Sequence, residues 1–129
     1  MSADRLKKLR RIQAVQADLH KLAEWRLAEL ARKEREIAEN QKALIGTLNN
    51  DDTLHGLFVP AMARRLRALA GEAEVVKAAR ETQADRVLDE AKRLKRTERM
   101  SERAARDHAR EREKVELQRL VEGLMARRR

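Results

Sequence analysis

Chemistry in a protein needs reactive side chains brought together, so we start with the few this chain has. His20, His55 and His108 are its only imidazoles, and Ser2 and Ser101 its only serines. A zinc site needs three or four converging ligands. The three histidines are far apart in sequence, and on a helix His108 has only Glu111 or Arg112 at pairing distance. A nucleophilic serine needs a base within hydrogen-bond reach, and neither serine has one nearby. Phosphate-cradling loops need clustered glycines, whereas Gly46, Gly56, Gly71 and Gly123 stand alone. The absence of cysteine excludes thiolate metal sites and disulfides. The expectation is a non-enzymatic chain with no cofactor, no metal and no small-molecule substrate.

What remains is charge. Lys and Arg number 31 against 22 Asp and Glu, a net +9. Residues 1–48 carry +4, residues 49–91 carry −2, and residues 92–129 carry +7. Arg5, Lys8 and Arg11 in the first stretch, and Lys92, Arg96 and Arg103 in the last, are the candidate partner-binding cations. One reading is solubility of an exposed surface. A second is docking on an acidic protein surface. A third is nonspecific contact with phosphates. Specific nucleic-acid recognition is not expected, because aromatics make up 2% of the chain and no recognition motif is present.

The elements that must position these residues are helical. Ala, Leu, Glu, Lys and Arg supply 84 of 129 residues, about 65%, above the level that already signals a long helix or coiled coil. A β-sandwich or barrel would need β-branched and aromatic residues that this chain lacks. No run of 18 apolar residues exists, so no membrane-spanning helix is expected. The charged opening residues lack an apolar stretch behind them, so a secretory signal is not expected.

Leu9, Gln16, Ala23, Leu30, Ile37 and Leu44 recur every seven residues, and Ile12 and Leu19 follow the first two at three places. This is the spacing of a coiled-coil seam. The second series fades to Arg26, Lys33 and Asn40. Asn49 to Thr53 is the strongest break, since Asn and Asp favour turns and helix starts. Gly56 and Pro60 extend it, with a short helical turn around Leu54 to Phe58. Beyond it, Met62, Leu66, Leu69, Ala73 and Val76 restore the seam, which weakens at Arg80 and Gln83 and resumes at Val87 and Leu94.

The expected fold is all-α: one elongated domain over 1–129, an antiparallel two-helix coiled-coil hairpin with a longer second helix. Helix 1 spans about 3–48, the turn about 49–59 and helix 2 about 60–126. Pairing about residue 52 sets Leu9 opposite the region of Leu94. The last 25 or so residues overhang, carrying Leu117, Leu120, Val121, Leu124 and Met125. A hairpin brings the two basic stretches to one end.

Two apolar features stand apart from the seam. Trp25, with Val15 and Leu22, forms a minor strip on the face opposite Leu9, Ile12, Leu19 and Leu30. It either covers Arg and Lys stems or contacts a partner. Leu54, Leu57, Phe58, Val59 and Met62 either shield the turn or form a second docking point.

The run LKKLRRIQAVQADLHKLAEWRLAELARKEREIAE, a basic opening followed by a heptad seam in a cysteine-free hairpin, resembles the first helix of the flagellar export family called FliJ and its injectisome stalk relatives. The resemblance covers nearly the whole chain, rests on architecture, and assigns no functional residue. It implies a non-enzymatic coiled coil of a type III protein export apparatus. Such proteins dock with the export ATPase and export gate and assist substrate chaperones. It also implies a cytoplasmic location, peripheral to the inner-membrane export apparatus. The alternatives are a generic coiled-coil scaffold or homodimeric adaptor, and a nonspecific nucleic-acid binder.

Overall fold

The computed structural model describes residues 1–50 and 55–128. They form two α-helices and no strand, α1 over Ser2–Leu48 and α2 over His55–Arg127, an all-α helical hairpin. The described residues group into two units: residues 1–20 with 89–128, and residues 21–50 with 55–88. The composition explains the helices. Their interiors are dominated by the best helix formers, and no described residue has a positive φ.

The ends are set locally. Asp4 lies in the first turn of α1, where an acidic group favours the positive end of the helix dipole. At the other end the Asn49 amide reaches the Ile45 carbonyl at 3.0 Å, and the Asn50 amide reaches that of Thr47 at 3.2 Å. The helix therefore stops in the Asn-Asn turn that the residue types predict.

The start of α2 differs from expectation. It begins at His55, so residues 55–59 are helical and Pro60 sits inside the helix rather than at its first position. Pro60 denies the Gly56 carbonyl its helical donor. That is tolerable because Gly56 is solvent-exposed and water can replace the donor. Leu54, which the sequence reading assigned to the tip, lies outside the described residues.

Burial repeats at alternating intervals of four and three residues along both helices. On α1 the shielded positions are one row of Ser2, Leu9, Gln16, Ala23, Leu30, Ile37 and Leu44, and a second of Leu6, Gln13, His20, Leu27, Glu34, Gln41 and Leu48. The first row is the one expected. The second is not: it lies four residues after the first, whereas Ile12 and Leu19 were expected three after. Ile12 and Leu19 are exposed instead. The reason lies further along the helix. The rejected row would carry Arg26 and Lys33 into the seam, while the chosen one offers Leu6, Leu27 and Leu48 and a single charge at Glu34. Desolvating two unpaired cations costs more than two exposed apolar side chains. On α2 the expected seam of Met62, Leu66, Leu69, Ala73 and Val76, thin at Arg80 and Gln83, is the one observed.

The pairing is antiparallel within each unit. In the first, Ser2 Oγ lies 2.9 Å from His108 Nδ1, and Gln16 Nε2 donates to the Glu90 carboxylate. Leu6, Leu9 and Ala104 form one buried cluster there. In the second, Gln83 Nε2 donates to the Ala23 carbonyl at 3.1 Å, and Arg80 forms an ion pair with Glu34. The register places Leu9 level with Ser101, not Leu94. The slip from the expected pairing is one heptad, which leaves every seam residue in the seam. His108 is level with Ser2, and residues 109–128 are all exposed, a shorter free segment than the 25 or so expected.

Polar residues alternate with apolar ones across this seam, so few side chains are fully buried. Leu69, at 2% exposure, is the most enclosed. One flank is narrow. Ala17 on α1 and Ala91 and Ala105 on α2 are half-buried in the first unit, as are Ala31 on α1 and Ala63 and Ala84 on α2 in the second. Methyl side chains let the backbones approach on that side. Large and charged residues occupy the opposite flank.

Candidate docking face

The wide flank of the first unit gathers most of the candidate cations. In an antiparallel pair, the residue just before the first seam position of each heptad meets its counterpart on the other helix, along one edge. On α1 that edge carries Arg5, Ile12 and Leu19, with Lys8 and Val15 next to it. On α2 it carries Arg93 and Met100, with Arg96 and Arg103 next to it. A cleft of about 480 Å³ on this edge is lined by Arg5, Arg110 and Lys114 together with Asp107 and Glu111.

Arg5, Lys8, Arg96 and Arg103 therefore share one side of the unit. Arg11 and Lys92 lie in the same unit on the outer backs of α1 and α2. All six are exposed. Trp25 is not brought to this face. It belongs to the other unit and is 61% exposed.

Charge concentrates in this unit as a whole. Residues 1–20 and 89–129 hold 19 of the 31 basic residues and 11 of the 22 acidic ones, a net +8. Close like charges raise the local potential and attract acidic partners, most strongly at low salt.

Sequence reasoning missed the apolar half of the face. Ile12, Val15, Leu19 and Met100 are between 44% and 59% exposed. They form the apolar centre and the cations its margin, the arrangement of a protein interface. The signal was present in Arg26 and Lys33, which disqualify the row containing Ile12 and Leu19. At the tip, Leu57, Phe58 and Val59 are exposed, while Met62 is half-buried.

Among the described residues, no group of three or more His, Asp or Glu could hold a metal ion. The expectation that neither serine has a base nearby fails for Ser2, because the antiparallel pairing brings His108 within hydrogen-bond distance of it; Ser101 is buried beside the Leu9 layer with no hydrogen-bond partner for its hydroxyl. No described helix is long and apolar enough to cross a membrane.

The fold and this face define a class: an antiparallel helical hairpin that presents an apolar strip framed by cations. No family model, no curated protein and no solved structure matches the chain.

Proposed function

We propose that this chain is a non-enzymatic coiled-coil docking component of a flagellar or type III protein export apparatus. It engages the export ATPase through its basic unit, and the export gate and substrate chaperones through further contacts. It works in the cytoplasm, held at the inner-membrane export apparatus by these partners. The observation that carries the docking role is the exposed face where Arg5, Lys8, Arg96 and Arg103 surround Ile12, Val15, Leu19 and Met100. The resemblance of the first helix to the FliJ family supports the choice of apparatus.

The mechanism follows from the physics of the face. Cations steer an acidic partner into encounter. The apolar strip then supplies the area whose burial holds the complex. The polar seam gives the hairpin a defined register without a wide core.

The test is charge reversal. Arg5→Glu, Lys8→Glu and Arg11→Glu are combined, and binding to the purified export ATPase is measured at low and physiological salt. Binding at least tenfold weaker, with unchanged helical content by circular dichroism, is expected. Undiminished binding refutes the assignment.

A further inference from the structure

The free segment of α2 carries a face that the hairpin does not use. Residues 109–127 are helical, and residues 109–128 are exposed throughout. Continuing the α2 seam into this segment gives Glu111, Val115, Gln118, Glu122 and Met125, a row with two isolated apolar residues; the clustered ones are off it. Leu117, Leu120, Val121 and Leu124 follow at intervals of three, one and three, which places them on one stripe of the helix. They are between 48% and 65% exposed. The stripe is rotated away from the seam, onto the side where Arg96 and Arg103 lie in the same unit. It is an apolar face distinct from the seam, on the same side of α2 as Met100.

Its surroundings select the occupant. Arg110 and Lys114, with Glu113 between them, precede the stripe along the same side, and Arg127 and Arg128 follow it, so the flanks are net positive. The cationic ends are about 27 Å apart at 1.5 Å per residue. A second copy fits poorly. Antiparallel pairing through the stripe would set Lys114 beside Arg127 of the second copy, offset by Glu113 opposite Arg128, and parallel pairing would set each charge beside its equal. A lipid surface also fits poorly. Interfacial helices carry a polar face rich in Lys and Arg and often an aromatic on the apolar side. Here the polar face mixes Arg112 and Arg119 with Glu111, Glu116 and Glu122 and so is not rich in cations, and the segment has no aromatic residue.

We infer that residues 110–128 dock an acidic amphipathic helix of another protein. That helix presents an apolar stripe to Leu117, Leu120, Val121 and Leu124, and carboxylates at both ends to the flanking cations. The inference stands whichever machine the chain serves, because it uses residues outside the set reversed in the test above.

Two designed peptides of 21 residues test it on the full chain. Both carry the same leucine stripe; one has Glu at both ends and the other Lys. Binding is read by fluorescence anisotropy of the labelled peptides. The Glu-ended peptide is expected to bind at least tenfold more tightly, with the preference shrinking as salt rises. L117E combined with L124E is expected to abolish binding and leave the helical content unchanged. R110E combined with R127E, which keeps the stripe, is expected to remove the preference for the Glu-ended peptide. Equal binding of both peptides overturns the inference. So does binding to vesicles of mixed anionic and zwitterionic phospholipid with no peptide preference. A dimer in sedimentation equilibrium that L117E with L124E dissociates assigns the stripe to a second copy and overturns it too.

Discussion

Replacing Ser101 with alanine should stabilise this protein. Ser101 is 6% exposed, sits level with Leu9 in the seam, and its hydroxyl has no hydrogen-bond partner. Folding therefore strips water from a polar group and returns nothing. A buried unsatisfied group of this kind costs about 1–3 kcal/mol. Alanine also exceeds serine in helix propensity by about 0.5 kcal/mol. Removing the oxygen leaves a gap of only one small atom, which offsets part of the gain. The net expectation is about 1–2 kcal/mol of added stability. Urea unfolding followed by circular dichroism at 222 nm reads it as a higher midpoint with an unchanged slope. Thr82→Ala, at an exposed position of the same helix, is the control for propensity. If Ser101→Ala gains no more than this control, the hydroxyl is satisfied in solution and the reasoning fails. A loss of stability would refute it outright.

Three further outcomes follow from the same structure. Ile12→Glu should leave unfolding stability within about 0.5 kcal/mol, while Leu6→Glu should cost more than about 2 kcal/mol, because only Leu6 is in the seam; equal effects in urea unfolding would reject the observed second row. Gly71→Ala should stabilise by about 0.8–1 kcal/mol, since an added Cβ meets nothing within 4 Å and the helix gains propensity; thermal unfolding measures it. The Glu29 carboxyl should titrate below its ordinary value of 4.5, chiefly because Arg32 donates a hydrogen bond to it. A folded value lowered in this way supports the helix above the ordinary carboxylate range, and the support is lost as pH falls through the folded value. Carbon NMR of the Glu29 carboxyl reads the titration directly, and a midpoint at or above 4.5 would contradict the pairing.

The docking face shows how far residue types alone carry the argument. Arg5, Lys8, Arg96 and Arg103 were legible as candidates because cations cluster in two stretches that a hairpin brings together. Ile12 and Leu19 were misplaced because apolar residues three and four positions apart satisfy either choice of seam row. The first two heptads favour the row with Ile12 and Leu19, and only the whole helix, with Arg26 and Lys33, reverses that choice. Trp25 was legible as standing off the seam, since its spacing from Leu9 and Leu30 permits no seam position.

Composition and periodicity determined that this chain is two long helices, that α1 stops at the Asn-Asn turn, and that Leu9, Ala23, Leu30, Ile37 and Leu44 face the other helix. These are local properties: propensity, capping and a repeat of seven. Register is not local. A seam that repeats every seven residues survives a slip of seven, so Leu9 meets apolar or small neighbours at Leu94 or at Ser101 and Ala104 alike. Tertiary structure decided between them by setting where α2 begins and by bringing polar groups together one layer at a time: Ser2 with His108, Gln16 with Glu90, and Glu34 with Arg80. Hydrogen bonds and ion pairs are directional and specific to a residue, whereas apolar contacts are interchangeable between layers. The polar residues that thin the seam are therefore the ones that fix its alignment.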